Sequence, residues 1–250
     1  MIELKLIKGD CIKVMPSISD ETIDLIIADA PYNISGIASD ITLHNRIVNT
    51  SNFGDWDFNF DPEPFIKEAK RLLKPNGQIY VFTSDRLIGE YLTLFKKYGF
   101  YYRNMLIMYK RNIMPKVRQT SWRCGSEYIL WAIRDKTQKA DYTFNWLGQD
   151  EMKNLFFTNI VMGKRRLKHP NQKPIEIIEK LIKVSSNESD IVLDPFLGSG
   201  STLEACRNTK RNGIGIEINP KYIEMTKKRL NWGSVLNDEV VYTYEESGAV

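Results

Sequence analysis

The chain lacks a disulfide framework. Its three cysteines, Cys11, Cys124 and Cys206, are odd in number, far apart and form no Cys-x-x-Cys pair. That argues against a structural zinc site and for a reducing compartment. No apolar run is long enough to span a bilayer, and the opening residues MIELKLIKGD have no signal-peptide layout. The expectation is therefore a cytoplasmic protein. Two phosphate-binding signatures are also missing. There is no G-x-G-x-x-G, and no lysine follows the glycine-rich turn at Gly198 as a P-loop requires. Internal repeats, low-complexity tracts and linker-like boundaries are absent too.

What is present suits a soluble α/β domain. The chain has 250 residues, 42% hydrophobic and 26% charged. We read residues 1–250 as one domain, with residues 110–168 as a region inserted within it. Apolar runs predict strands over Leu4–Lys8, Ile23–Ala28, Gln78–Thr83, Phe100–Tyr109, Tyr128–Ile133, Ile191–Leu193 and Gly213–Ile218. Helical patterns cover Pro62–Leu73, Asp85–Tyr98, Pro174–Val184, Thr202–Asn208 and Pro220–Leu230. Strands separated by helices imply a mostly parallel sheet covered on both faces. Ligands of such sheets lie at the carboxyl ends of the strands. Ile34 to Asn59 and Lys136 to His169 carry no regular pattern, and the tail after Trp232 reads as peripheral.

Two loops at predicted strand ends carry chemistry. In Val192-Leu193-Asp194-Pro195-Phe196-Leu197-Gly198-Ser199-Gly200-Ser201 an apolar strand ends at an acid, and a small-residue turn then opens a helix. Gly198 and Gly200 let a ligand approach the main chain. The next strand, Gly213-Ile214-Gly215-Ile216, ends at Glu217, placed as the partner of ribose hydroxyls. A nucleoside without phosphates fits better than a dinucleotide or a triphosphate. S-adenosylmethionine is such a ligand, and its two cationic groups favour nearby carboxylates.

The second loop is Asp29-Ala30-Pro31-Tyr32. An exocyclic amine on a flat base is a poor nucleophile because its lone pair is delocalised. Acceptors on Asp29 and on the Ala30 carbonyl would draw that nitrogen toward a tetrahedral shape. Pro31 stiffens the turn. Tyr32 offers a ring for stacking, worth roughly 1–3 kcal/mol. Taken alone, the tetrapeptide also reads as an ordinary strand-to-loop turn.

The net charge is +4, unevenly spread. Lys110, Arg111, Lys116, Arg118, Arg123 and Arg134 face Glu127 alone between Tyr109 and Arg134, and from Met162 to Lys173 there are Lys164, Arg165, Arg166, Lys168 and Lys173 with no acid. Such clusters suit a phosphate-rich partner; a solvated loop face is the plainer reading. His44 reads as an exposed loop residue and His169 as structural. Phe53 and Trp56 suit either a lid or a small local core, and Trp146, Phe156 and Phe157 packing within the inserted region.

Lys8-Gly9-Asp10-Cys11, Asp29-Ala30-Pro31-Tyr32-Asn33, His169-Pro170-Asn171-Gln172-Lys173-Pro174, the glycine loop and Gly213-Ile214-Gly215-Ile216-Glu217-Ile218-Asn219 occur in one order. In this the chain resembles the β-class S-adenosylmethionine-dependent DNA amino-methyltransferases, from about Leu6 to Leu230. The resemblance implies a Rossmann-like, seven-stranded methyltransferase sheet entered at a permuted point. Leu4–Lys8 would be its third strand and Ile191–Leu193 and Gly213–Ile218 its first two, with Phe100–Tyr109 and Tyr128–Ile133 at an antiparallel edge. It implies methyl transfer to the amino group of adenine in double-stranded DNA after base flipping, with no metal. The implied cofactor residues are Asp10, Cys11, Asp29, Lys173, Pro174, Asp194, Phe196, Gly198, Ser199, Gly200, Ser201, Glu217 and Ile218. Asp29, Ala30, Pro31 and Tyr32 would hold the base. Lys110, Arg111, Lys116, Arg118, Arg123, Lys164, Arg165 and Arg166 would contact DNA, and a homodimer is compatible. The family's tetrapeptide usually has proline where Ala30 stands; a main-chain acceptor survives that change, in a more flexible loop. Cytosine, RNA adenine, or a binding protein of the same fold without catalysis are the alternatives.

Overall fold

The computed structural model of the chain describes residues 1–33, 41–43, 46–48, 60–113, 122–135, 141–159, 173–232 and 240–247. Its strands are β1 (Ile2–Lys8), β2 (Ile23–Asp29), β3 (Ile41–Leu43), β4 (Arg46–Val48), β5 (Leu73–Thr83), β6 (Tyr101–Lys110), β7 (Ser126–Ile133), β8 (Leu155–Thr158), β9 (Ile191–Asp194), β10 (Asn212–Glu217) and β11 (Val240–Glu246). Its helices are α1 (Cys11–Val14), α2 (Glu63–Leu72), α3 (Ile88–Lys97), α4 (Ile175–Ser185), α5 (Ser201–Thr209) and α6 (Pro220–Leu230).

Nine strands form one sheet in the order β11-β1-β10-β9-β2-β5-β7-β6-β8, and β3 pairs with β4 in a separate antiparallel ribbon. Strands β1, β10, β9, β2 and β5 run parallel, and β7 is antiparallel to both β5 and β6. The expected permutation is therefore present: β1, entered first, takes the place of the usual third strand, beside β10 and then β9. Alternate residues serve opposite faces, as pleating requires. Ile26 and Ala28 join a core built with Phe65, Ile66, Ala69 and Leu72 of α2 and Tyr91 and Phe95 of α3. Leu25 and Ile27 join a second core with Ile178 and Ile182 of α4, Leu203 and Cys206 of α5, and Ile223 of α6. Burial on both faces explains why β2 reads as an unbroken apolar run.

Three expectations need correction. The sheet has nine strands, not seven, because β8 and β11 extend its two edges. The region around Lys136–His169 is not wholly without pattern: Leu155–Thr158 pairs parallel to β6. The tail is not peripheral either, since β11 pairs along the full length of β1. Both added strands are edge strands with partly exposed faces, so their sequences carry a weak apolar signal. Element boundaries elsewhere differ by a few residues; β5, for example, starts at Leu73 and absorbs Pro75-Asn76-Gly77. Among the described residues no helix is long and apolar enough to cross a membrane.

Candidate active site

The carboxyl ends of four adjacent parallel strands bring the predicted acids together. β1 ends opposite Glu217 of β10, and the Gly9 amide donates to the Glu217 carbonyl at 3.0 Å. The next residue, Asp10, caps α1 by accepting from the Ile12 amide at 3.0 Å. Asp194 ends β9, which pairs with β10 on one side and β2 on the other. Asp29 ends β2.

Buried turns hold these carboxylates in place. Asp194 accepts from the Phe196 amide at 2.9 Å and from the Thr202 hydroxyl at 2.5 Å. Glu217 accepts from the amides of Gly198 and Asn219, each at 2.7 Å. Burial pushes both carboxyls up to about 7, and the negative charges of Asp29 and Glu217 add to the rise at Asp194. Buried carboxylates are acceptors, and a cationic, hydroxyl-bearing nucleoside would supply the donors and the positive charge they favour. The residues present therefore fit S-adenosylmethionine.

The glycine loop is braced from behind by α6. Gly200 has φ +84°, and a Cβ there would lie 2.7 Å from Thr226 Oγ1 and 2.8 Å from its Cγ2. Glycine is thus required both for conformation and for space. Arg229 donates to the Ser201 hydroxyl at 2.9 Å, to Glu204 at 3.1 Å and to the Ser199 hydroxyl at 3.4 Å. Ser199 and Ser201 are buried, so their hydroxyls serve this brace. Phe196 packs edge-on against Phe60 and Phe65. Ile218 is exposed. Burial pushes the Cys11 thiol up to about 12, with Asp10 adding to the effect, which makes it unreactive.

The Asp29 loop carries a buried charge cluster. Tyr32 donates to Asp29 Oδ1 at 3.0 Å, and Lys173 Nζ lies 2.8 Å from Asp29 Oδ2. The same Nζ lies 3.3 Å from Glu127 Oε2, and the Tyr32 hydroxyl lies 3.5 Å from that oxygen. Lys110 pairs with Glu127 through Oε1. The ammonium of Lys173 also sits 5.1 Å from the centre of the Tyr32 ring and 5.6 Å from that of Phe82. Burial disfavours a charged Glu127, yet Lys173 and Lys110 together hold its carboxyl below the usual range. Burial pushes the Asp29 carboxyl upward; Lys173 opposes that rise and Glu127 reinforces it. Some 26% of the Asp29 side chain remains open to solvent, against 5% for Lys173.

The reading from sequence placed Lys173 beside the glycine loop, and the structure puts its amine on Asp29. Pro174 precedes α4 as its cap residue. Ala30 is buried. Glu127 was missed as a site residue. Its signal was an acid inside the apolar strand Ser126–Ile133, in a stretch otherwise rich in cations. Among the DNA candidates, Lys110 points into this cluster, Arg111 stacks 5.0 Å over the Phe157 ring, and Arg123 donates to the Ile113 carbonyl. Phe156 packs against the second core, whereas Trp146 and Phe157 are exposed. Lys116, Arg118, Lys164, Arg165, Arg166, His44, His169, Phe53 and Trp56 lie outside the described residues. Among the described residues no group of three or more His, Cys, Asp and Glu is arranged to hold a metal ion.

Known proteins similar to this chain share its family and its fold. The chain is 33% identical over 238 residues to the type II methyltransferase M2.MboI of Moraxella bovis, covering 89% of this chain and 85% of that one. The structure of an M1.HpyAVI–SAM complex superposes with a TM-score of 0.71 at 29% identity, covering 91% of this chain and 99% of the other. The cytosine-N4-specific PvuII DNA methyltransferase shares the fold, with a TM-score of 0.70 at 16% identity, covering 94% of this chain and 88% of that one. The family model described as DNA methylase, the N6/N4 methyltransferases, matches residues 23–228. With the strand-end acids, the permuted sheet and this match in agreement, the chain belongs to the N6/N4 DNA methylase family.

Proposed function

We propose that this DNA methylase modifies the exocyclic amine of adenine in duplex DNA, with Asp29 and the Ala30 carbonyl as the acceptors that activate the nitrogen. One observation carries the reading: Asp29 ends the strand next to that of Asp194, and Glu217 ends the one beyond. A base held by Asp29 therefore neighbours a ligand held by Asp194 and Glu217. S-adenosylmethionine supplies an electrophilic methyl group on a cationic sulfur. Glu217 and Asp10 would hold its ribose and adenine, and Asp194 with the glycine loop would hold its charged end. An amine that donates one hydrogen to Asp29 and the other to the Ala30 carbonyl turns its lone pair out of the ring plane. After transfer, Asp29 is placed to take the surplus proton from that nitrogen. Preorganised acceptors and alignment account for most of the acceleration.

The base reaches this buried loop only if it leaves the stack, as enzymes acting on bases require. Residues 110–168 and the basic residues around them are the part of the chain assigned to the duplex. The acid at position 29 favours adenine over cytosine. The test is mass spectrometry of nucleosides from DNA treated with the wild type and with Asp29→Ala. The expected result is N6-methyladenine with the wild type, none with the variant, and unchanged S-adenosylmethionine binding in both. N4-methylcytosine in the digest would overturn the choice of base. Full activity of D29A would overturn the role of Asp29.

A further inference from the structure

We propose that Glu127 is a positioning residue that receives Lys173 and Tyr32 when the target base takes their place on Asp29. This inference rests on the role given to Asp29 above. Both oxygens of Asp29 are engaged, Oδ1 by Tyr32 at 3.0 Å and Oδ2 by Lys173 at 2.8 Å. An incoming amino group competes with both. Each occupant already has a second acceptor within reach, and it is one and the same atom. Glu127 Oε2 lies 3.3 Å from Lys173 Nζ and 3.5 Å from the Tyr32 hydroxyl.

Further observations support the exchange. Lys173 Nζ is buried without an aligned hydrogen bond, although two carboxylates lie within ion-pair distance. It is shared between two anions rather than locked on one. Lys110 anchors Glu127 through Oε1, which leaves Oε2 facing the cluster. Glu127 also stands on a strand whose neighbouring residues Ile129 and Leu130 are core, with only 11% of its side chain exposed. Burying an acid there is costly unless its partners need it. Without Glu127, Asp29 is the only carboxylate within ion-pair distance of Lys173 among the described residues, and the amine stays on it. Among the described residues, the charged and titratable groups facing the cluster are Asp29 of β2, Tyr32 after it, Lys110 of β6, Lys173 before α4, Tyr91 of α3 and Asp194 of β9.

The test uses the full-length protein and a target sequence first located by sequencing wild-type-treated DNA. Glu127→Gln should keep S-adenosylmethionine affinity and lose kcat by about 10²-fold, the size of effect that misplacing a reacting group brings. Its acid limb should move to lower pH, because removing the Glu127 charge eases ionisation of Asp29. Glu127→Asp should recover part of the loss. A second readout needs no turnover. With S-adenosylhomocysteine present, E127Q should bind a duplex with a mismatched target adenine more weakly than the wild type. It should bind an abasic target equally well, since no base then competes for Asp29. A kcat of E127Q within threefold of wild type overturns the inference, as does a loss with the acid limb unmoved and both duplexes bound alike. Those results leave the role of Asp29 standing if D29A is silent. A wild type that methylates nothing removes that role and this inference together.

Discussion

Replacing Lys173 with methionine strips the cation from between two carboxylates. Lys173 Nζ lies 2.8 Å from Asp29 and 3.3 Å from Glu127, with 5% of its side chain exposed. Removing one partner of a buried ion pair costs about 3–5 kcal/mol, because the other charge is left without compensation. Two features reduce that figure here. Asp29 keeps 26% of its side chain in contact with solvent, and Glu127 keeps Lys110. The expected loss near neutral pH is therefore about 2–3 kcal/mol, or a melting temperature lower by roughly 5–10 °C. The pH dependence follows from the directions of the shifts. In the wild type Glu127 is held below its ordinary value. Its contribution is present above the unfolded carboxyl value of about 4.3 and is lost as pH falls through the folded one. In the variant the two acids repel and their folded values rise. A raised carboxyl favours the folded state at low pH and loses that advantage as pH increases. The deficit of K173M should thus widen between about pH 5 and about pH 8. Urea unfolding at both pH values measures it. A variant melting within about 2 °C of wild type at the higher pH, or a deficit that narrows with pH, would refute the reasoning.

Other outcomes follow from the same geometry. Gly200→Ala meets Thr226 in a left-handed backbone conformation, so it should lose about 1–3 kcal/mol of stability and more than about tenfold in S-adenosylmethionine affinity, read by melting and calorimetry; wild-type affinity would show that the loop tolerates a side chain. Asp194 and Glu217 are both raised to about 7, so the ligand-free protein should lose stability as pH rises toward that value. A cationic ligand lowers both, and calorimetry near pH 7 in buffers of different ionisation enthalpy should show net proton release; proton uptake would contradict the site. Arg111→Ala, which removes the cation over Phe157, should flatten the salt dependence of DNA binding by about one unit of log–log slope, and an unchanged slope would take Arg111 off the DNA face.

Much of this architecture is local information. Ile23 to Asp29 and Ile191 to Asp194 announce themselves because a strand buried on both faces must be apolar until it stops, and each stops at an acid. Gly200 stands out because it is needed where the backbone turns left-handed against a neighbour. Strand order, the permuted entry and the convergence of Asp10, Glu217, Asp194 and Asp29 were legible only through the resemblance, which rests on several motifs standing in one order along the chain; no single segment carries them. The structure alone decided the rest. β11 and β8 are strands because β1 and β6 have free edges to pair with, and no pattern within Val240–Glu246 or Leu155–Thr158 demands it. The charge cluster is likewise tertiary. Asp29, Lys110, Glu127 and Lys173 come from distant parts of the chain and meet because β2, β6, β7 and the approach to α4 bring them to one end of the sheet. A buried charge is tolerable only beside its counter-charge, and which residues become neighbours is a property of the folded sheet rather than of any segment.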